Sequence, residues 1–191
     1  MYTNKLNINS IKYTLSFILT CVFSISLFAQ QKPKKEKVVV KNFDFIQRFK
    51  DKYEGNQLFS GNVIVEYKGD LIYADSAIVY QDKNLAVIWS NAKLVSKDKT
   101  ITADKMEYDG NTTIAKAFKN VTLTDPGSRI TADYMEYNRT TEIATGIGKV
   151  EVKTPTQQIS SEKMIYERLS GNIIVNDTYK TIGSDGTVIE G

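Results

Sequence analysis

The sequence predicts an all-β protein made by stacking copies of one short unit, and three observations lead there. Ile72, Ile101, Ile130 and Ile159 stand 29 residues apart without a slip, and each opens a version of the same phrase. An invariant period means that one backbone unit meets its neighbours through equivalent surfaces. Ahead of each phrase runs a short alternating segment: Asn62-Val63-Ile64-Val65, Asn91-Ala92-Lys93-Leu94, Asn120-Val121-Thr122-Leu123 and Lys149-Val150-Glu151-Val152. Apolar residues two apart, with polar ones between, have the period of a half-buried strand. The only prolines, Pro33, Pro126 and Pro155, avoid every proposed strand, as the missing N–H requires.

In chain order, Lys5 and Lys12 precede an uncharged apolar stretch from Tyr13 to Phe28, then Ala29-Gln30-Gln31. Residues 1–29 are expected to be a cleaved secretory signal; an uncleaved membrane anchor is the alternative, although the stretch is at the short end for a spanning helix. Cys21, the only cysteine, lies inside it, so a cleaved chain has no thiol. Residues 30–42 are expected to be a basic tail or linker, with Lys32, Lys34, Lys35 and Lys37 suited to solvation or to contact with an anionic membrane surface. The folded domain is expected over 43–191. Phe43 stands 29 residues before Ile72 and opens a worn copy, yet Phe43, Ile46, Phe49 and Tyr53 also have the spacing of a helix face, so 43–53 reads equally as strand or helix.

Each isoleucine phrase contains a change of parity. In Ile101-Thr102-Ala103-Asp104-Lys105-Met106-Glu107-Tyr108, Ile101 and Ala103 share one face, whereas Met106 and Tyr108 share the other. A straight strand cannot bury both pairs, so a bend or bulge is expected at Asp104-Lys105, with Asp75, Asp104, Asp133 and Glu162 marking stacked corners. Polar segments such as Asp82-Lys83-Asn84, Asp109-Gly110-Asn111 and Asn138-Arg139-Thr140 supply turns. Ile182-Gly183-Ser184-Asp185 reads as a shortened final copy.

Composition is that of an ordinary globular domain, 41% apolar and 25% charged over 191 residues. Without Lys5 and Lys12 there remain 23 basic residues against 22 acidic. That balance argues against nucleic-acid binding. Histidine is absent, which removes the commonest general base and a usual zinc ligand. The acidic column puts the same group in the same setting in each copy, so no pair is driven apart for acid/base catalysis. The expectation is a non-enzyme without metal or other cofactor. The columns Met106, Met135, Met164 and Tyr108, Tyr137, Tyr166 read first as core. Beside the alanines at Ala74, Ala103 and Ala132 they would also leave adaptable space between two sheets. Asn62, Asn91 and Asn120 fit either a side-chain ladder or turn chemistry.

The strand Gly61-Asn62-Val63-Ile64-Val65 and the following phrase of the form x-x-Ala-Asp-x-x-x-Tyr resemble the OstA-like lipopolysaccharide-transport proteins, a group that includes LptA, LptC and the N-terminal domain of LptD. The resemblance covers roughly 59–167. It implies an antiparallel β-jellyroll open along one side, with lipid A acyl chains of lipopolysaccharide in an apolar groove. It also implies a periplasmic location and end-to-end joining with related proteins, or with itself, by edge-strand addition. On parity, the lipid-facing candidates are Val63, Val65, Ile72, Leu94, Ile101, Met106, Leu123, Ile130, Met135, Val152, Ile159 and Met164. The alternatives are an LptC-like membrane-tethered member, a parallel β-helix that binds or cleaves polysaccharide, and a structural repeat with a dry core.

Overall fold

The structure is a computed structural model that describes residues 36–48 and 56–191. The signal segment, most of the basic tail, and Phe49 and Tyr53 lie outside the described residues. Thirteen strands form one sheet: β1 (Val39–Asn42), β2 (Phe45–Arg48), β3 (Gln57–Tyr67), β4 (Asp70–Tyr80), β5 (Leu85–Ser96), β6 (Lys99–Asp109), β7 (Ile114–Thr124), β8 (Arg129–Asn138), β9 (Ile143–Lys153), β10 (Gln157–Glu167), β11 (Asn172–Val175), β12 (Tyr179–Gly183) and β13 (Val188–Glu190). From β3 to β10 each strand pairs with its neighbour in sequence. Every pairing is antiparallel, which overturns the parallel β-helix alternative.

The sheet folds over itself because each long strand is bent near its middle. Along β6 the buried positions are 99, 101 and 103, then 106 and 108, so the inward face changes parity across Asp104-Lys105 as the sequence predicts. The extra residue of the bulge, however, belongs to the facing strand. Thr102 pairs with Thr122 and Lys105 with Phe118, three steps on β6 against four on β7. The added length is absorbed by paired left-handed residues on the odd strands: Gly61-Asn62, Ser90-Asn91, Lys119-Asn120 and Gly148-Lys149, all with positive φ. Asparagine tolerates that conformation better than most side chains, which explains the Asn column. Gly148 has a second reason: a Cβ there would lie 2.9 Å from the Asp133 carboxylate.

The asparagines bridge to the acidic column rather than to one another. Asn62 donates to Asp44 at 2.7 Å, Asn91 to Asp75 at 2.8 Å and Asn120 to Asp104 at 3.1 Å. Lys149 stands 4.0 Å from Asp133 in the same relation. The acidic residues at these corners are therefore structural braces on the outside of the bend, all exposed.

Three assignments at the ends change. Segment 45–48 is strand, and β1 lies inside the stretch assigned to the tail, with Val38 fully buried just before it. The worn first copy exists, but Val40 rather than Phe43 occupies the place equivalent to Ile72, since both pair with Val65. β1 and β2 act as one broken strand along β3, kinked at Asp44. At the other end Ile182 does not begin a shortened copy. Thr181 pairs with Ile159, so β12 continues the odd-strand series, and Ile182 points outward, 38% exposed.

Candidate functional site

The interior between the two halves of the bent sheet is lined by cross-strand ladders. In one half a single row runs Val65, Ile72, Leu94, Ile101, Leu123, Ile130, Val152, Ile159, each residue paired with the next. At ~4.8 Å per strand, this aliphatic row is about 34 Å long. A second row nearer the bend is smaller: Val63 against Ala74, Ala92 against Ala103, Val121 against Ala132. In the other half large and small residues alternate, with Ile88, Met106, Ala117, Met135, Gly146 and Met164 in one row. The tyrosine row alternates likewise, Tyr108, Tyr137 and Tyr166 flanking Ala115 and Ala144.

All twelve sequence-derived candidates face this interior and belong to one core cluster. They are buried, from 0% exposed at Val65 to 8% at Ile159. The structure thus brings them together on one side of the sheet and packs them against one another. The methionines are central to that packing, because an unbranched thioether fits against alanine or glycine in several rotamers.

Opposite the bend, the turns at the two ends of the strands face each other along a seam. One rim consists of turns 68–69, 97–98, 125–128 and 154–156, and the other of turns 81–84, 110–113, 139–142 and 168–171. No backbone hydrogen bond joins the rims among the described residues; the side chains do. Tyr67 donates its hydroxyl to the Gly110 carbonyl at 2.6 Å. Arg139 pairs with Asp70, which also accepts from Ser96 at 2.6 Å. Lys99 reaches Glu142 at 2.9 Å, and Arg168 pairs with Asp98 and lies 3.2 Å from Glu142. Tyr166 donates to Asp125 at 3.1 Å. The buried polar residues Asp70, Asn84, Ser96, Lys99 and Ser128 all lie along this seam.

Sequence reading missed the seam, since its members are mixed in type and sit in turns of ordinary polarity. The available signal was Arg139 and Arg168, 29 residues apart at equivalent turn positions.

The electrostatics are those of closely matched charges in a poorly hydrated place. Burial disfavours ionisation of Glu142, but hydrogen bonds from Lys99 and Tyr137 and the charges of Lys99 and Arg168 outweigh it, holding the carboxyl below its ordinary value. Burial, then Glu142, pushes the Tyr137 phenol far up; burial, then Asp70, does the same to Tyr108. Burial opposes the charge of Arg139 and Arg168, yet their acidic partners hold both above the usual guanidinium value. These groups stay in fixed charge states across neutral pH and make a structural network rather than a proton-transfer site. Among the described residues no cluster of His, Cys, Asp or Glu is arranged to hold a metal ion.

Comparison with known proteins gives two findings. A model of the family described as OstA-like protein matches residues 35–187. Among solved structures, LptH of Pseudomonas aeruginosa, the LptA-homologous periplasmic component of its lipopolysaccharide transport device, superimposes with a TM-score of 0.55 at 12% identity. The match covers 64% of this chain and 98% of that one. No curated protein sequence matches.

Proposed function

The chain belongs to the OstA-like family, and on that premise we propose that it is a periplasmic lipopolysaccharide-binding carrier, a bridge component in the transport of lipopolysaccharide to the outer membrane. The observation that carries this reading is the uninterrupted aliphatic row from Val65 to Ile159, with the adaptable methionines Met106, Met135 and Met164 opposite. Such an interior offers acyl chains a path along the whole stack without a polar interruption. Binding is passive: each Å² of apolar chain removed from water contributes about 25 cal/mol, and direction is supplied by neighbouring components.

The free sheet edges support a place in a chain of related proteins. The strands at the two ends, β1–β2 and β13, carry exposed apolar residues, among them Phe45, Ile46, Val188 and Ile189. A flat edge of that kind invites strand addition by a partner. Lipopolysaccharide and other OstA-like proteins, or further copies of this chain, are the partners proposed.

Photo-methionine labelling tests the interior directly. Apart from Met1, the chain's methionines are Met106, Met135 and Met164, all buried in the core. Protein grown with photo-methionine, mixed with lipopolysaccharide and irradiated, is expected to yield lipid adducts on peptides containing those positions. Absence of adducts, with β-sheet circular dichroism intact, would remove the interior as a lipid site.

A further inference from the structure

The seam closes the face through which a chain would have to enter, and the way it is closed carries an inference. We propose that the row of ion pairs along the seam is a latch, and that the two halves of the sheet part about the bend to admit an apolar chain sideways. The proposal rests on the reading of the interior as a lipid slot.

Four features of the molecule support it. First, the two sides of the slot are held by different means. Every long strand crosses the bend, so that side is covalently continuous and braced by the Asn–Asp bridges. Across the seam nothing but side chains connects the rims.

Second, the connecting groups are of a type that stability alone does not favour. The Lys99 side chain is 0% exposed and those of Asp70 and Asp125 are 3% exposed. Buried pairs of this kind gain little over well-packed apolar residues, because both charges lose their hydration. That same hydration returns when the rims separate, so the cost of opening is far below that of exposing an equal apolar edge.

Third, each rim is stiff enough to move as a unit. Successive turns of the second rim are hydrogen-bonded in series, Gly110 N to Asn84 O at 2.8 Å, Arg139 N to Thr113 O at 3.0 Å and Arg168 N to Glu142 O at 3.1 Å. Charges on neighbouring turns therefore release together.

Fourth, the N-terminal end of the seam has its own strap. Val38 N donates to Asn84 Oδ1 at 2.7 Å, and Asn84 Nδ2 and Gln81 Nε2 donate to the carbonyls of Glu36 and Val38. Glu36–Val38 thereby ties β1, which pairs with the first rim's end of β3, to turn 81–84 of the second.

The experiment uses the full chain with Cys21→Ser and cysteines introduced as Lys97→Cys and Leu169→Cys. These are exposed neighbours of the paired Asp98 and Arg168 on opposite rims. Nitroxide labels at the two sites report the rim separation by pulsed EPR without lipid. The proposal expects a main short distance and a minor longer one, the minor population rising about tenfold when Asp98→Asn removes one bridge. A single short distance in both proteins overturns the latch. Linking the same cysteines with a short bismaleimide is expected to abolish capture of lipopolysaccharide, while the unlinked protein retains it. Equal capture by linked and unlinked protein also overturns the latch and leaves the lipid reading intact. No capture by either, alongside a longer EPR distance, sinks the lipid reading and leaves the latch standing.

Discussion

At the residue scale the informative side chains are those whose chemistry conflicts with their surroundings. Lys99 is a fully buried cation with Glu142 as its partner and the Tyr137 ring 5.4 Å from its ammonium. Glu142→Gln leaves that ammonium without a counter-ion and is expected to destabilise the fold by about 3 kcal/mol. The double substitution Lys99→Met/Glu142→Leu is expected to recover most of the loss; urea denaturation measures both. The acid dependence has a definite sign. Glu142 has a folded value below its unfolded one, so its contribution is present above the ordinary carboxylate range and is lost as pH falls through the folded value. Lys99, Arg168 and Tyr137 face it, with Asp98 and Asp125 on the same arginine. Stability measured from neutral pH down to acid is thus expected to fall below that range in the parent and to be flatter in Glu142→Gln.

At the element scale the unit is a hairpin of two bent strands, and the sequence displayed its apolar half well. Ile72, Ile101, Ile130 and Ile159 fall on one ladder because a fixed period and parity leave few other registers. The change of parity at Asp104-Lys105 was legible for the same reason. The owner of the extra residue was not, since a bulge lengthens one strand relative to its partner and a single strand's pattern does not reveal which. The seam was illegible on other grounds: its contacts join residues 43 to 70 positions apart with differing partners, and no period marks them. The terminal strands misled because their apolar residues, such as Ile182, serve an exposed edge rather than the core. The bend makes its own prediction. Gly148 has φ +77 and no room for a Cβ beside Asp133, so Gly148→Ala is expected to cost about 1–3 kcal/mol, read as a lowered urea midpoint.

For the whole molecule, the sheet ends without a cap on either side among the described residues, and its end strands carry apolar side chains outward. Purified protein is expected to self-associate with rising concentration. Val188→Lys together with Ile189→Lys on β13 is expected to shift sedimentation toward monomer without altering the thermal midpoint appreciably, because charge on an edge strand discourages pairing. The sequential order of the strands has a consequence for how the protein is made. Each backbone pairing from β3 to β10 joins neighbours in the chain, so a hairpin formed anywhere can extend by zippering, with little loop-closure entropy to overcome. The contacts across the rims are the ones that span long stretches of chain, and they form last. The final step of maturation and the first step of taking up cargo are then one motion run in opposite directions. A newly made molecule reaching that step beside a lipid would be filled before it had ever been empty.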